Sequence, residues 1–141
     1  MVDILILDND PTVCSMVRAA LRETGLHLNM APDAAQALQI VANNTPDLLL
    51  VDIETLDGAK ELTEFLDRLA TYVDGAPCQV ILTSAISKSM GQDLAKNLGA
   101  VDFFGKPFSP IKLRKRLLDL FPSAKERPRL AQFKRSQVFP S

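Results

Sequence analysis

The chain has 141 residues, of which 47% are hydrophobic and 23% are charged, a balance typical of one globular domain with a buried core. Its formal net charge of −1 is not that of a strongly basic protein, so we expect neither a membrane nor a direct nucleic-acid partner. No apolar run reaches the roughly 18 residues of a membrane span, and the first residues lack a secretory pattern. Cys14 and Cys78 match no metal or redox spacing, which predicts reduced, buried thiols in a cytoplasmic protein.

The first half of the chain predicts two strand–helix pairs. Residues 4–7 form a continuous apolar run, typical of a strand that is buried on both faces of a sheet. A helix is expected to begin at Pro11 and to end at Gly25, and a weaker strand follows over residues 26–30. A second helix begins at Asp33, and an Asn-Asn-Thr-Pro stretch breaks it.

The second half continues this alternation. Its predicted elements are a strand at 48–51, a helix around 62–69, a strand at 80–82, a helix at 89–98, a strand at 101–104 and a helix at 110–120. Five strands alternating with five helices predict an α/β fold, a three-layer, doubly wound parallel sheet with helices on both faces. Met90, Leu94 and Leu98 share one side of the fourth helix and are expected to pack in the core; an exposed edge there would suit a partner.

Four of the five predicted strands deliver polar side chains to one edge of the sheet. These residues are Asp8 and Asn9, Asp52, Thr83 and Ser84, and Lys106. In an open parallel sheet, ligands bind in the crevice beyond the carboxyl ends of the strands. Helix caps and turns account for Asp10, Asp33 and Asp57. They do not account for Lys106, which lies between a buried strand and Pro107, so the pattern favours one functional site at this edge.

Three stretches resemble the signature sequences of response-regulator receiver domains. They are residues 4–11 (ILILDNDP), 46–52 (PDLLLVD) and 99–108 (GAVDFFGKPF). The similarity covers about residues 3–121, and we predict a receiver domain over 1–121. The resemblance implies the flavodoxin-like strand order 2-1-3-4-5 for the five-stranded sheet. It also implies a CheY-like phosphorelay switch, not an enzyme that acts on an external metabolite. Its implied partners are a histidine kinase or phosphotransfer protein and a downstream protein target, and a homodimer is a further option.

The resemblance implies a role for each matching position. Asp52 resembles the phospho-accepting aspartate, a carboxylate nucleophile, and Lys106 would place its ammonium on the phosphoryl oxygens or the carboxylate. The hydroxyl that would donate to a phosphoryl oxygen is assigned to Ser84, because its separation of 22 residues from Lys106 matches the family pattern. Thr83 is the neighbouring candidate. Phe103 resembles the aromatic switch residue whose rotamer follows that hydroxyl, with simple core packing as the alternative.

The sequence departs from the family pattern at the implied metal site. The family usually ends its first strand in two acids, whereas this chain has Asp8 and Asn9. Because an asparagine supplies only a neutral oxygen, we expect Mg²⁺ to bind weakly to Asp8, Asn9 and Asp52. We hypothesise that the Glu54 side chain faces the site and restores the missing charge; the alternative is a solvent-exposed loop glutamate. The loop after Asp52 is also shorter than usual and lacks Met-Pro.

These departures keep two other functions open. A pseudo-receiver would keep the fold and signal through protein contacts without efficient phosphorylation. Asp8 and Asp10, followed by Thr12-Val13, also resemble the first motif of haloacid-dehalogenase-like phosphatases. In that remote alternative Asp8 would be the nucleophile and Asp10 the acid/base, but Lys106 would have no role.

The last segment, residues 122–141, differs from the rest in composition. It holds five basic residues against a single acidic one, together with three prolines. We predict a disordered tail or linker there. A basic arm that docks on an acidic partner or nucleic acid, or a connection to a longer effector, are the alternatives.

Overall fold

Five strands and five helices alternate along the part of the chain that the computed structural model describes, residues 2–72 and 78–122. The strands are β1 (Val2–Leu7), β2 (Leu26–Ala31), β3 (Leu48–Asp52), β4 (Gln79–Ser84) and β5 (Asp102–Gly105). The helices are α1 (Pro11–Ala20), α2 (Ala34–Asn43), α3 (Gly58–Tyr72), α4 (Lys88–Leu98) and α5 (Pro110–Leu120). A short 3-10 helix, Ile53–Thr55, follows β3 directly.

The five strands form one parallel sheet in the order β2-β1-β3-β4-β5, which confirms the predicted topology. The chain runs outward from β1 to β2 and then returns to β3 on the other side of β1, so β1 and β3 flank the topological switch point. The register pairs Asp52 with Thr83 and Ser84 with Gly105. The carboxyl ends of the central strands therefore lie level, and their polar side chains meet at one edge.

The core lies on both faces of the sheet, because successive side chains along a strand point to opposite faces. One cluster combines helices α2, α3 and α4 with Leu5, Leu7, Leu49, Val51 and Leu82. The other combines helices α1 and α5 with Ile4, Ile6, Leu48, Leu50 and Ile81. This two-sided burial explains the continuous apolar runs of the central strands and confirms the three-layer architecture.

The first helix ends earlier than predicted. Helix α1 stops at Ala20, not at Gly25, and a turn joins it to β2. The buried Thr24 hydroxyl donates to the carbonyl of Leu21 at 2.6 Å and accepts from the backbone N–H of Leu26 at 3.1 Å. A threonine that satisfies local backbone groups in this way competes with helical hydrogen bonds. The apolar periodicity of the sequence did not reveal that competition.

Helix α4 presents its small residues to the sheet. Gly91 and Ala95 are its buried residues, whereas Met90 is 61% exposed, so the prediction of core packing is wrong for Met90. A Cβ atom at Gly91 would lie 2.3 Å from the Phe103 ring. The close approach of α4 to β5 therefore requires glycine, and it turns the larger Met90 toward solvent.

Three remaining predictions concern single features. Cys14 and Cys78 are both free thiols; Cys14 is buried as predicted, but Cys78 is only partly buried. None of the helices described for this chain is long and apolar enough to cross a membrane. Of the predicted tail, residues 123–141 lie outside the described residues.

Candidate functional site

Two buried carboxylates meet one lysine at the carboxyl edge of the sheet. Asp8 follows β1 directly and Asp52 ends β3, and each is only 3% exposed. Lys106 Nζ lies 2.8 Å from Oδ2 of Asp8 and 3.0 Å from Oδ1 of Asp52. The backbone N–H of Lys106 donates to the carbonyl of Ser84 at 2.8 Å, which fixes the lysine beside β4. The structure thus brings together three residues that the sequence assigned to one site.

The lysine is charged in this setting. Burial by itself lowers the pKa of Lys106, but the carboxylates of Asp8 and Asp52 outweigh burial and raise that pKa above its ordinary value of 10.5. Oδ1 of Asp52 is buried, and the Lys106 ammonium, 3.0 Å away, is its partner among the described residues. The site therefore offers one carboxylate oxygen whose partner is a cation.

The other oxygen of Asp52 has a partner that the sequence analysis missed. Thr55 donates its hydroxyl to Oδ2 of Asp52 at 2.6 Å and accepts from the backbone N–H of Asn9 at 3.0 Å. Thr55 stands three residues after Asp52, which is one turn of the 3-10 helix that follows β3. The sequence signal for this contact was a hydroxyl residue three positions after an acid at the end of a strand. That spacing brings the two side chains together only if the residues between them form a helical turn, which the sequence analysis did not predict.

Glu54 turns its carboxylate toward the end of β4. Its Oε2 accepts a hydrogen bond from the Ser84 hydroxyl, and its Oε1 accepts one from the backbone N–H of Ala85 at 2.9 Å. The residue is exposed, yet both carboxylate oxygens are bonded. A role for Glu54 as a metal ligand would require the side chain to leave these two donors.

The two neighbouring hydroxyls of β4 have different surroundings. The Thr83 hydroxyl is buried and donates toward the carbonyl of Val51 at 3.4 Å. Ser84 is fully buried as a residue; its Oγ accepts from the backbone N–H of Ile86 at 3.1 Å and donates to Glu54. Ser84 is therefore the hydroxyl that already donates to a carboxylate.

The remaining predicted residues lie around this centre. Phe103 is 7% exposed and belongs to the core cluster beneath α4. Asn9 is exposed. Asp10 caps α1, since its Oδ1 accepts from the backbone N–H of Thr12 at 2.9 Å, and its own N–H donates to Oδ1 of Asp8 at 2.8 Å. Asp10 is thus engaged as the helix cap that the sequence predicted.

The donor set fits a magnesium ion in kind. Within residues 2–72 and 78–122, no three His, Cys, Asp or Glu side chains form a ready metal cluster. Mg²⁺ needs only one or two carboxylates, because it keeps several of its water ligands. Asp8 and Asp52 supply two buried carboxylates, and among the described residues Oδ1 of Asp52 is in contact only with the Lys106 ammonium.

Known sequences are similar to this chain over most of its length. A family model described as "Response regulator receiver domain" matches residues 4–118. The response regulator MprA of Mycobacterium sp. (strain KMS) is 32% identical over 119 residues, which cover 82% of this chain and 49% of MprA. The chain therefore spans about half the length of this curated relative.

Solved structures share the fold. A response regulator from Thermotoga maritima matches with a TM-score of 0.74 at 20% identity, covering 86% of this chain and 98% of that one. A second match, with a TM-score of 0.69 at 18% identity, covers 83% of this chain and 86% of the other. It comes from a co-crystal of the Saccharomyces cerevisiae histidine phosphotransfer signalling protein Ypd1 with the receiver domain of its downstream response regulator Ssk1.

Proposed function

Because the chain belongs to the response-regulator receiver family of two-component signalling, we propose that Asp52 accepts a phosphoryl group from a histidine kinase or phosphotransfer protein. Receiver domains are signalling modules and generally not enzymes. One observation carries the proposal: the buried Asp52 carboxylate lies beside Asp8, with the Lys106 ammonium 3.0 Å from its Oδ1. A nucleophilic carboxylate next to a fixed cation is what phosphoryl transfer requires.

In the proposed transfer, Oδ1 of Asp52 attacks phosphorus, the bond from phosphorus to the donor's imidazole nitrogen breaks, and the imidazole leaves with that electron pair. The Lys106 ammonium lies 3.0 Å from the attacking oxygen, so a cation is already placed beside the oxygen that gains the phosphoryl group. Thr55 holds the other oxygen at 2.6 Å and thereby orients the carboxylate. Lys106 offsets the charge that accumulates as the phosphoryl group arrives.

We assign the phosphoryl-sensing hydroxyl to Ser84 and not to Thr83. The Ser84 hydroxyl already donates to a carboxylate, whereas the Thr83 hydroxyl is directed at the Val51 carbonyl within the sheet. Phosphorylation adds a charge of about −1.5 to −2 near these donors. Phe103, packed against Gly91, would transmit the rearrangement of Ser84 to α4 and so to a downstream protein.

Receiver domains generally bind Mg²⁺ at an acidic pocket. Here Asp8 and Asp52 would hold the ion, with Asn9 contributing at most a neutral oxygen. Bound Mg²⁺ supplies positive charge to the transferring phosphoryl oxygens. Because one anionic ligand is missing, we expect weaker binding than in a receiver with two acids at the end of β1.

A pseudo-receiver is the second candidate, and the bonded Glu54 favours it. The Ser84 hydroxyl and the Ala85 N–H already have a carboxylate partner without any phosphoryl group. The phosphatase alternative gains no such support, since Asp10 is engaged in capping α1.

Intact-mass spectrometry tests the proposed function. The full chain is incubated with Mg²⁺ and either acetyl phosphate or phosphoramidate, beside Asp52→Asn and the control Asp57→Asn at an exposed loop acid. We expect a Mg²⁺-dependent phosphoryl adduct in wild type and in the control, and none in Asp52→Asn. An adduct that persists in Asp52→Asn would contradict the assignment. No adduct from these donors or from a phosphotransfer protein would contradict the proposed function and favour the pseudo-receiver.

A further inference from the structure

Two donors at the end of β4 converge on one carboxylate. The Ser84 hydroxyl and the Ala85 N–H bond the two oxygens of Glu54. The Ile86 N–H donates to Ser84 Oγ at 3.1 Å, so that oxygen already serves as an acceptor and its proton is directed to Glu54. Adjacent, preoriented donors of this kind form a site for an oxyanion.

The position of Glu54 relates this site to Asp52. Asp52 ends β3 and Glu54 lies in the 3-10 helix that follows it, where the next residue, Thr55, is bonded to Oδ2 of Asp52. In the sheet, Asp52 is the register partner of Thr83, which directly precedes Ser84. A phosphoryl group on Asp52 would therefore arrive beside donors that the Glu54 carboxylate already occupies.

We infer that Ser84 and Ala85 form an anion site which Glu54 fills from within the chain, so that Glu54 competes with the phosphoryl group of Asp52. The competition rests on the proposed function, whereas the occupancy of the site by Glu54 does not. Glu54 is exposed, and water can solvate its carboxylate once it leaves. A phosphoryl group carries more charge than a carboxylate and displaces it, so Glu54 slows phosphorylation and does not prevent it.

The occupancy is tested without phosphorylation, by proton–nitrogen correlation NMR of the full chain. In Glu54→Ala, the Ala85 amide proton loses a carboxylate acceptor and shifts upfield. The control Glu61→Ala removes an equal charge from α3, where Glu61 accepts from the Asp57 N–H. An Ala85 amide shift that is the same in wild type, in Glu54→Ala and in Glu61→Ala would overturn the proposal.

Inorganic phosphate is the probe for the emptied site. We expect added phosphate to shift the Ala85 amide saturably in Glu54→Ala, and much less in wild type at the same concentration. Glu54→Gln removes the negative charge but keeps an oxygen that accepts hydrogen bonds. This variant therefore separates occupation of the site by the side chain from charge repulsion between Glu54 and phosphate. Equal responses in wild type and Glu54→Ala would contradict an anion site filled by Glu54.

The competition is tested by the rate at which Asp52 gains the phosphoryl adduct. We expect Glu54→Ala to accelerate the reaction about fivefold, the factor that one net hydrogen bond of about 1 kcal/mol gives. Glu54→Gln is expected to lie between the two, and Glu61→Ala to match wild type. An unchanged rate in Glu54→Ala would refute the competition. If no variant forms an adduct, the proposed function fails and the competition with it, while the phosphate titration still decides the anion site.

Discussion

Thr55 donates its hydroxyl to Oδ2 of Asp52 at 2.6 Å, and the same oxygen of Thr55 accepts from the backbone N–H of Asn9 at 3.0 Å. This one hydroxyl therefore ties the turn after β3 to the end of β1. It also leaves the buried Asp52 carboxylate with different environments at its two oxygens, a neutral donor at Oδ2 and the Lys106 cation at Oδ1. The orientation of the predicted nucleophile depends on this difference.

The first prediction concerns Thr55. Thr55→Val keeps the shape of the side chain but removes the hydroxyl, so a buried carboxylate oxygen and the Asn9 N–H lose their partner. We expect the free energy of unfolding to fall by about 1–3 kcal/mol, measured by urea denaturation. Thr55→Ser keeps the hydroxyl and should retain most of the stability. Equal stability of Thr55→Val and wild type would show that the hydrogen bond contributes nothing.

The second prediction concerns the ion pairs of Lys106. Lys106→Met leaves two buried carboxylates without a cation, and we expect a loss of about 3 kcal/mol in unfolding free energy at neutral pH. Asp8→Asn combined with Lys106→Met removes one of the charges and should recover much of that loss. Because the pKa of Lys106 is raised, the stability that its charge contributes is complete below its ordinary pKa of 10.5 and is lost as the pH rises through the raised pKa. Urea denaturation of both variants measures the effect, and a fully stable Lys106→Met would contradict it.

The third prediction concerns the contact between α4 and β5. An alanine in an ordinary helix interior is more stable than glycine by up to about 1 kcal/mol. At Gly91 the added Cβ would lie 2.3 Å from the Phe103 ring, so we expect Gly91→Ala to destabilise the protein by about 1–3 kcal/mol instead. A double-mutant cycle with Phe103→Leu provides the control, because a smaller side chain relieves the clash. Additive free energies in that cycle would mean that the ring and the new methyl group do not meet.

The fourth prediction concerns the reactivity of Cys78. Burial, and to a smaller extent the charge of Asp47, raises the pKa of the Cys78 thiol from 9.0 to about 11. At pH 9 about 1% of this thiol is ionised, against about half of an ordinary one. We expect iodoacetamide alkylation of Cys78, followed by peptide mass mapping, to rise tenfold per pH unit without levelling near pH 9. An alkylation rate that levels near pH 9 would contradict the raised pKa of Cys78. Steric protection alone lowers the rate at every pH and would leave that levelling visible.

The same shift has a consequence for stability. The unfolded chain ionises Cys78 at its ordinary pKa, whereas the folded chain resists ionisation. The contribution of the protonated thiol is therefore complete below about pH 9 and is lost as the pH rises toward about 11. Thermal unfolding of Cys78→Ser across this range should show a smaller decline than that of wild type.

The sequence was sufficient to predict the architecture. Residues 48–51 form a continuous apolar run, which indicates a segment buried on both faces. Residues 110–120 alternate with a helical period, which indicates a helix that buries one face. Asp8, Asp52 and Lys106 were predictable as a site because the ends of parallel strands share one edge. This part of the fold depends on local patterns and on topology rules.

The sequence was not sufficient to predict which side chains meet. Glu54 and Ser84 are 30 residues apart, and their hydrogen bond depends on the turn after β3 and on the sheet register. Thr24 hydrogen-bonds the backbone of the turn that follows α1, and Met90 is exposed on α4 beside Gly91, which lies against Phe103. Each outcome is set by a contact of a few ångströms, which hydrophobic periodicity does not encode.

By itself, then, the sequence determined the parallel three-layer fold and the set of polar residues at its carboxyl edge, because burial patterns and strand order act on whole segments. The tertiary structure alone decided that Thr55 holds Asp52 and that Glu54 occupies the donors of Ser84 and Ala85. Hydrogen bonds act over about 3 Å and depend on direction, so their partners are determined only once the segments have packed.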